Sequence, residues 1–168
     1  EVLLKILSTH SRVPAGSPSA AGSHSGPDAK RWSAEGLRLL AVIVSYEPDR
    51  AALGQLVESL GVVGVDVVVV DNSESEVGRT SAQAVAAAFG ATFVGNPLNV
   101  GVAAAQNIGL RIAQERGLSH ALLLDQDSTL QANTLAALVD AFVALRDSSE
   151  AVAAVGPSFV DPRSGYRA

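Results

Sequence analysis

Leu39-Leu40-Ala41-Val42-Ile43-Val44 runs directly into Ser45-Tyr46-Glu47-Pro48-Asp49. An unbroken apolar run that ends in a polar turn is the pattern of a strand buried on both faces, as in a parallel sheet. Just beyond it, Leu53, Leu56, Val57 and Leu60 fall at i, i+3, i+4 and i+7, one face of a helix. Gly61 is expected to close that helix. Val65 to Val70 is a second buried strand, ending at Asp71-Asn72-Ser73. An alanine-rich helix over roughly residues 80–89 stops at Gly90, and Ala91-Thr92-Phe93-Val94 is a short strand. After the turn cluster Gly95-Asn96-Pro97-Leu98-Asn99, Val100 to Arg116 reads as a helix ending at Gly117. Ala121-Leu122-Leu123-Leu124 is a fourth strand, stopped by Asp125-Gln126-Asp127-Ser128. Leu135, Leu138, Val139 and Phe142 mark a further amphipathic helix, and Val152-Ala153-Ala154-Val155 a fifth strand.

Strands alternating with helices predict an α/β fold: a mostly parallel sheet, helices on both faces, right-handed crossovers. Ligands of such open sheets bind beyond the carboxyl ends of the strands. Ser45, Tyr46, Asp71, Asn72, Asp125 and Asp127 are therefore expected to converge on one edge. Upstream, residues 11–36 are rich in Ser, Gly, Pro and Ala, and bury too little apolar area to offset their ordering entropy. Residues 1–36 are expected to be a disordered tail, with Trp32 and His24 solvated or loosely docked, and residues 37–168 the folded part. The chain does not open on Met, so its true start is expected to lie elsewhere.

Composition narrows the classes. The chain has 168 residues, enough for one domain, with 48% hydrophobic residues. Twelve Lys and Arg against 17 Asp and Glu leave a net charge of −5. Without a concentrated basic patch, that balance argues against nucleic acid as a partner, because phosphate binding needs cations to displace counterions. There is no cysteine, which excludes disulfides, thiolate catalysis and Cys-based zinc sites. No apolar run reaches the roughly 18 residues of a membrane span, and Glu1-Val2-Leu3-Leu4 lacks the marks of a secretion signal. The expected location is cytoplasmic, including the inner face of the membrane.

Three groups of residues could carry chemistry. Asp125 and Asp127, two apart at a strand end, could bind a hard divalent cation, since Mg²⁺ takes one or two carboxylates together with substrate phosphates and water. The bland alternative is a polar turn in which Asp127 or Ser128 caps the next helix. Asp71 could accept from a ring N–H of a pyrimidine or from a ribose hydroxyl; it could equally be a plain turn residue. Asn99-Val100-Gly101 opens a helix whose free N–H groups could meet an anion. Within that helix Gly109 costs about 1 kcal/mol against Ala, which suggests close packing on the sheet.

In order and spacing, the strand ending in Ser45-Tyr46, the strand ending in Asp71-Asn72-Ser73, Asn99-x-Gly101 with Gln106-Asn107-x-Gly109, and Leu122-Leu123-Leu124-Asp125-x-Asp127 resemble the first half of a family two glycosyltransferase of GT-A fold. Asp125-Gln126-Asp127-Ser128, Asn99-Val100-Gly101-Val102-Ala103 and Val155-Gly156-Pro157 resemble the rhamnosyltransferase branch. The resemblance implies that Val44-Ser45-Tyr46 lines the base and ribose of a nucleotide-sugar donor, dTDP-rhamnose by the branch. It implies that Asp71 bonds the pyrimidine and that Asn99 and Gly101 shape the loop beside the sugar nucleotide. Asp125 would meet the ribose or the metal's water shell, and Asp127 would ligate Mg²⁺ or Mn²⁺ on the diphosphate. Gln106 departs from the family, where Arg is frequent. The implied acceptor is a cell-surface polysaccharide or a glycolipid, with peripheral membrane association of the full-length protein. The implied catalytic base is a carboxylate further along the chain than these residues, so the chain by itself is expected to transfer sugar poorly.

Other readings remain at this point. Leu122 to Leu130 also resembles the first motif of haloacid-dehalogenase phosphatases, with Asp125 as nucleophile, Asp127 as acid/base and Mg²⁺. That chemistry wants a downstream lysine, and the only lysines are Lys5 and Lys30. A dinucleotide-binding domain is disfavoured because no Gly-x-Gly-x-x-Gly follows the first strand. A non-enzymatic alternative is an inactive nucleotide-binding fragment.

Overall fold

The computed structural model describes residues 5–8, 38–147 and 152–157. They form one six-stranded sheet with four helices. In chain order these are β1 (Lys5–Ser8), β2 (Leu39–Ser45), α1 (Arg50–Val62), β3 (Asp66–Asp71), α2 (Glu76–Ala88), β4 (Thr92–Gly95), α3 (Val102–Glu115), β5 (His120–Asp125), α4 (Ala132–Asp147) and β6 (Ala154–Val155). The order across the sheet is β4-β3-β2-β5-β1-β6. The four strands from β4 to β5 are parallel, whereas β1 runs antiparallel to both of its neighbours.

Alternation along the strands builds two cores. Leu39, Ala41 and Ile43 of β2, Val67 and Val69 of β3, and Leu122 and Leu124 of β5 pack beneath α1, α2 and α4. Leu40, Val42, Val68, Val70, Ala121 and Leu123 face the opposite way, toward α3. The α/β sheet with helices on both faces is thus as expected, unevenly covered: three helices on one face and one on the other. Ala105, Gly109 and Ala113 are the buried residues of α3. Their small size lets that helix sit close, and a Cβ built on Gly109 would stand 2.2 Å from Val42 Cγ1.

Element ends shift from the sequence reading, with α2 starting at Glu76 rather than near residue 80 and β6 only Ala154–Val155, and two further departures have a clear physical reason. Lys5–Ser8, expected to belong to a disordered tail, is a strand paired with β5 from Lys5↔Leu123 to Ser8↔His120. A single strand drawn from a far part of the chain has no local periodicity to announce it. The remainder of that tail, residues 1–4 and 9–36, lies outside the described residues. Second, α1 does not stop at Gly61. It runs to Val62, and Gly64 adopts the left-handed φ of 76° while Gly64 N–H meets Gly61 O at 2.9 Å and Val65 N–H meets Leu60 O at 3.0 Å. That pair of bonds is the Schellman ending. Of two nearby glycines, the one whose register satisfies the last carbonyls closes the helix.

Among the described residues no helix is long and apolar enough to cross a membrane.

Candidate functional site

From β2 the chain winds outward through β3 to the edge strand β4, then returns to place β5 on the other side of β2. The carboxyl ends of β2 and β5 are therefore the topological switch point, where the crossovers diverge and leave a crevice. β2 delivers Ser45 and Tyr46 there, and β5 delivers Asp125, Gln126 and Asp127.

A chain of hydrogen bonds laces the four parallel strand ends. Asn96, after β4, donates its backbone N–H to Asp71 O at 2.9 Å and its side-chain amide to Asn72 Oδ1 at 2.8 Å. Asn72 N–H donates to Ser45 O at 2.7 Å. The Ser45 and Ser73 hydroxyls both donate to Asp71 Oδ1 at 2.8 Å, and Ser73 N–H donates to Oδ2 at 3.3 Å. Tyr46 N–H donates to Gln126 Oε1 at 2.7 Å, while Gln126 Nε2 donates to Tyr46 O at 3.1 Å.

Glu47 ties the β2–α1 turn to the start of α2. Its carboxylate accepts the Glu74 N–H at 3.0 Å, the Ser75 N–H at 2.7 Å and the Ser75 hydroxyl. Its own N–H donates to Ser73 Oγ at 2.9 Å. Ser75, the N-cap of α2, in turn accepts Gly78 N–H at 2.9 Å. A carboxylate at a helix N-terminus is favourably placed against the helix dipole. The Ser75 hydroxyl, the backbone N–H groups and the nearby Arg79 guanidinium hold the Glu47 carboxyl below its ordinary range, against the opposing effect of desolvation. To make these contacts Glu47 takes φ 43°, the sole left-handed non-glycine among the described residues. Next to it, the Glu74 carboxylate first, then desolvation and Glu47, push the Tyr46 phenol above its ordinary value.

The sequence-derived site residues fall into three situations. Tyr46 and Asp127 are exposed and Asp125 is half-buried, all at the crevice. Ser45 and Asp71 are at the same edge but show no surface at all. Asp71 has a structural part at this edge. Its carboxylate is already shared among two hydroxyls and an N–H, so it holds the two loops together from beneath. Asn99 and Gly101 are exposed in the β4–α3 loop, where Asn99 Oδ1 accepts the Gly101 N–H at 2.9 Å. Gly101 is the N-cap of α3 at φ 82°, ψ 158°, a conformation essentially reserved for glycine. Neither Asp127 nor Ser128 caps α4, which begins at Ala132. Instead, Asp127 and Ser128 line a small cleft of about 90 Å³ against Gln55, Leu56 and Ser59 of α1. The Ser128 hydroxyl there is buried without a partner.

Sequence reasoning passed over Gln126 and Glu47. Gln126 entered only as part of the Asp125-Gln126-Asp127-Ser128 signature, with no role of its own, and Glu47 as a turn residue before Pro48. Glu47 and Ser75 are 28 positions apart, so nothing local announces that they meet.

Among the described residues no group of three or more His, Cys, Asp or Glu could enclose a metal. Asp125 and Asp127 fit the other mode of binding, in which a hard cation takes one or two carboxylates and finds its remaining ligands on a substrate diphosphate and water.

The description "Glycosyl transferase family 2" matches residues 41–163, most of the chain. That span runs from β2 through the whole switch point and includes Asp125-Gln126-Asp127. The chain is also 32% identical over 123 residues to the dTDP-rhamnosyl transferase RfbF of Shigella flexneri, a stretch that covers 73% of this chain and 39% of that protein. The chain thus spans well under half the length of this relative. The switch-point geometry, the match through both carboxylates and the shared sequence agree: the chain belongs to glycosyl transferase family 2.

Proposed function

We propose that the β2/β5 crevice binds the nucleotide-sugar donor of a glycosyl transfer reaction, with dTDP-rhamnose as donor and a polysaccharide or glycolipid hydroxyl as acceptor. The observation that carries this reading is the placement of Tyr46, Asp125 and Asp127 together at the switch point, within the span matched to the family. The choice of rhamnose is supported by the likeness to the Shigella flexneri dTDP-rhamnosyl transferase. The same span takes the Asp-x-Asp motif away from the phosphatase reading.

In this proposal the exposed Tyr46 ring offers a flat apolar face to the pyrimidine. Ser45 and Asp71 act from below, holding the loop that presents Tyr46. Asp125 orients the ribose side of the donor. Asp127, exposed at the crevice rim, is the carboxylate that holds a divalent cation against the diphosphate. A cation bound there supplies charge stabilisation to the departing nucleoside diphosphate. Asn99 and Gly101 shape the loop beside the sugar. The acceptor hydroxyl needs a general base; Asp140 is exposed on α4, and Asp147 is exposed at its end and paired with Arg146 at 3.0 Å. Neither is at the crevice.

Calorimetry with dTDP, UDP and their sugar conjugates tests the reading. Binding is expected with Mg²⁺ or Mn²⁺, preferring dTDP-rhamnose, and is expected to weaken in EDTA and in Asp127→Ala. Tighter binding of a UDP-hexose would overturn the rhamnose assignment, and equal affinity in EDTA would overturn the cation.

A further inference from the structure

We propose that Gln126 is a positioning residue for the donor crevice: its carboxamide clasps the main chain of Tyr46 and sets the spacing between the ends of β2 and β5. This rests on the donor-binding reading above.

The parallel ladder between β2 and β5 runs from Leu39↔His120 to Val44↔Asp125. Past that point the two chains part, one toward α1 and the other toward α4, and the main-chain pairing stops. Tyr46 is left at the mouth of the gap with an N–H and a C=O to satisfy. Gln126 meets both at once, accepting at 2.7 Å and donating at 3.1 Å. A primary carboxamide holds its acceptor oxygen and one donor N–H on the same side of a rigid plane, so this side chain can meet both main-chain groups of one residue where the ladder has ended. Because both bonds share one plane, the side chain cannot rotate without losing the pair.

The consequence reaches the ligand-facing groups on each side. Tyr46, the aromatic of the crevice, has its backbone pinned on the β5 side by this clasp, while the neighbouring Glu47 is pinned on the β3 side by Ser73. Gln126 lies between Asp125 and Asp127, so the same two bonds restrict the peptides that carry both carboxylates. Few other side chains can do this. Asn is one methylene short. A carboxylate in the same place accepts from the N–H but faces the Tyr46 carbonyl without a proton to donate. Met fills the space and makes neither bond.

The test uses ¹⁵N-labelled wild type, Gln126→Met and Gln126→Glu, each titrated with dTDP in Mg²⁺. Wild type is expected to show a Tyr46 amide protected from hydrogen exchange. Q126M is expected to lose that protection and to bind dTDP about tenfold more weakly, the scale of one net hydrogen bond or slightly more. Q126E, which keeps the N–H bond and is nearly isosteric, is expected to retain Tyr46 protection and fall between the two in affinity; it also serves if Q126M does not fold. A freely exchanging Tyr46 amide in wild type, or equal dTDP affinity in the three proteins, overturns the proposal. If wild type binds neither dTDP nor UDP, the donor reading fails, and the clasp is judged by the Tyr46 amide in the wild type and the variants.

Discussion

Gly109→Ala is the substitution at which two opposing effects are best resolved. In an isolated helix, the change gains about 1 kcal/mol of propensity. Here the new methyl would lie 2.2 Å from Val42 Cγ1, 2.8 Å from Cγ2 and 3.0 Å from Cβ. Carbon atoms in contact sit at about 3.5–4.0 Å, so the two elements must part by roughly 1 Å. Val42 cannot yield. It is wholly buried at the middle of β2, paired with Val68 on one side and Leu123 on the other. Rotation about χ1 does not help, because both methyls and the Cβ lie within the forbidden distance, and β-branched residues are stiff there. The helix must therefore lift from the sheet. Overpacking typically costs about 1–3 kcal/mol, and the immobility of Val42 places this case at the upper end. Less the propensity gain, Gly109→Ala is expected to destabilise the chain by about 2 kcal/mol. Urea unfolding followed by far-ultraviolet dichroism should show a midpoint lower by about 1 M. Val42→Ala removes the two closest atoms, so the double variant should lose about 1–2 kcal/mol less than the sum of the single losses. A Gly109→Ala protein as stable as wild type, or strict additivity in the cycle, would refute the reasoning.

Four further outcomes are expected. Asp127→Ala should abolish the Mg²⁺ dependence of dTDP binding, read by calorimetry with and without EDTA. Ser45→Ala takes a buried donor from the Asp71 carboxylate and should cost about 1.5–3 kcal/mol in the same urea assay; a loss below half of this would mean water replaces the hydroxyl. Ser128→Ala removes a buried hydroxyl that has no partner, and should leave stability unchanged or raise it by roughly 1 kcal/mol. Glu47 has a folded pKa below its ordinary value of 4.5, so its clamp is complete above that pH and is lost as pH falls through the lowered value. The stability difference between wild type and Glu47→Gln should therefore be largest at neutral pH and shrink on acidification below about 4.5; a difference that stays constant down to pH 2 would sink this assignment.

The fold was legible because its signals are local. Leu39–Val44, Val67–Val70 and Ala121–Leu124 are apolar on both faces, the pattern of strands in a covered parallel sheet. Spacings such as Leu53, Leu56, Val57 and Leu60 then say where helices lie. Strand ends follow from strands, so Ser45, Tyr46, Asp71, Asp125 and Asp127 could be placed on one edge without knowing any contact. Gly109 as a close-packing point was also readable, since a helix tolerates glycine at a cost only where something requires it.

What those residues do at the edge was decided by the tertiary structure. That Asp71 is sealed beneath the loops, and Asp127 left at the rim, depends on which neighbours arrive: Ser45 from 26 positions away and Ser73 from two. The Tyr46–Gln126 pairing joins residues 80 apart. The inclusion of Lys5–Ser8 in the sheet is of the same kind, as is the choice of Gly64 over Gly61. Periodicity records which face of an element is buried, because burial acts on each residue through its own surface. Hydrogen-bond partners, backbone strain at Glu47 and exposure of a carboxylate arise only when distant segments meet, and a single sequence carries no local trace of that meeting.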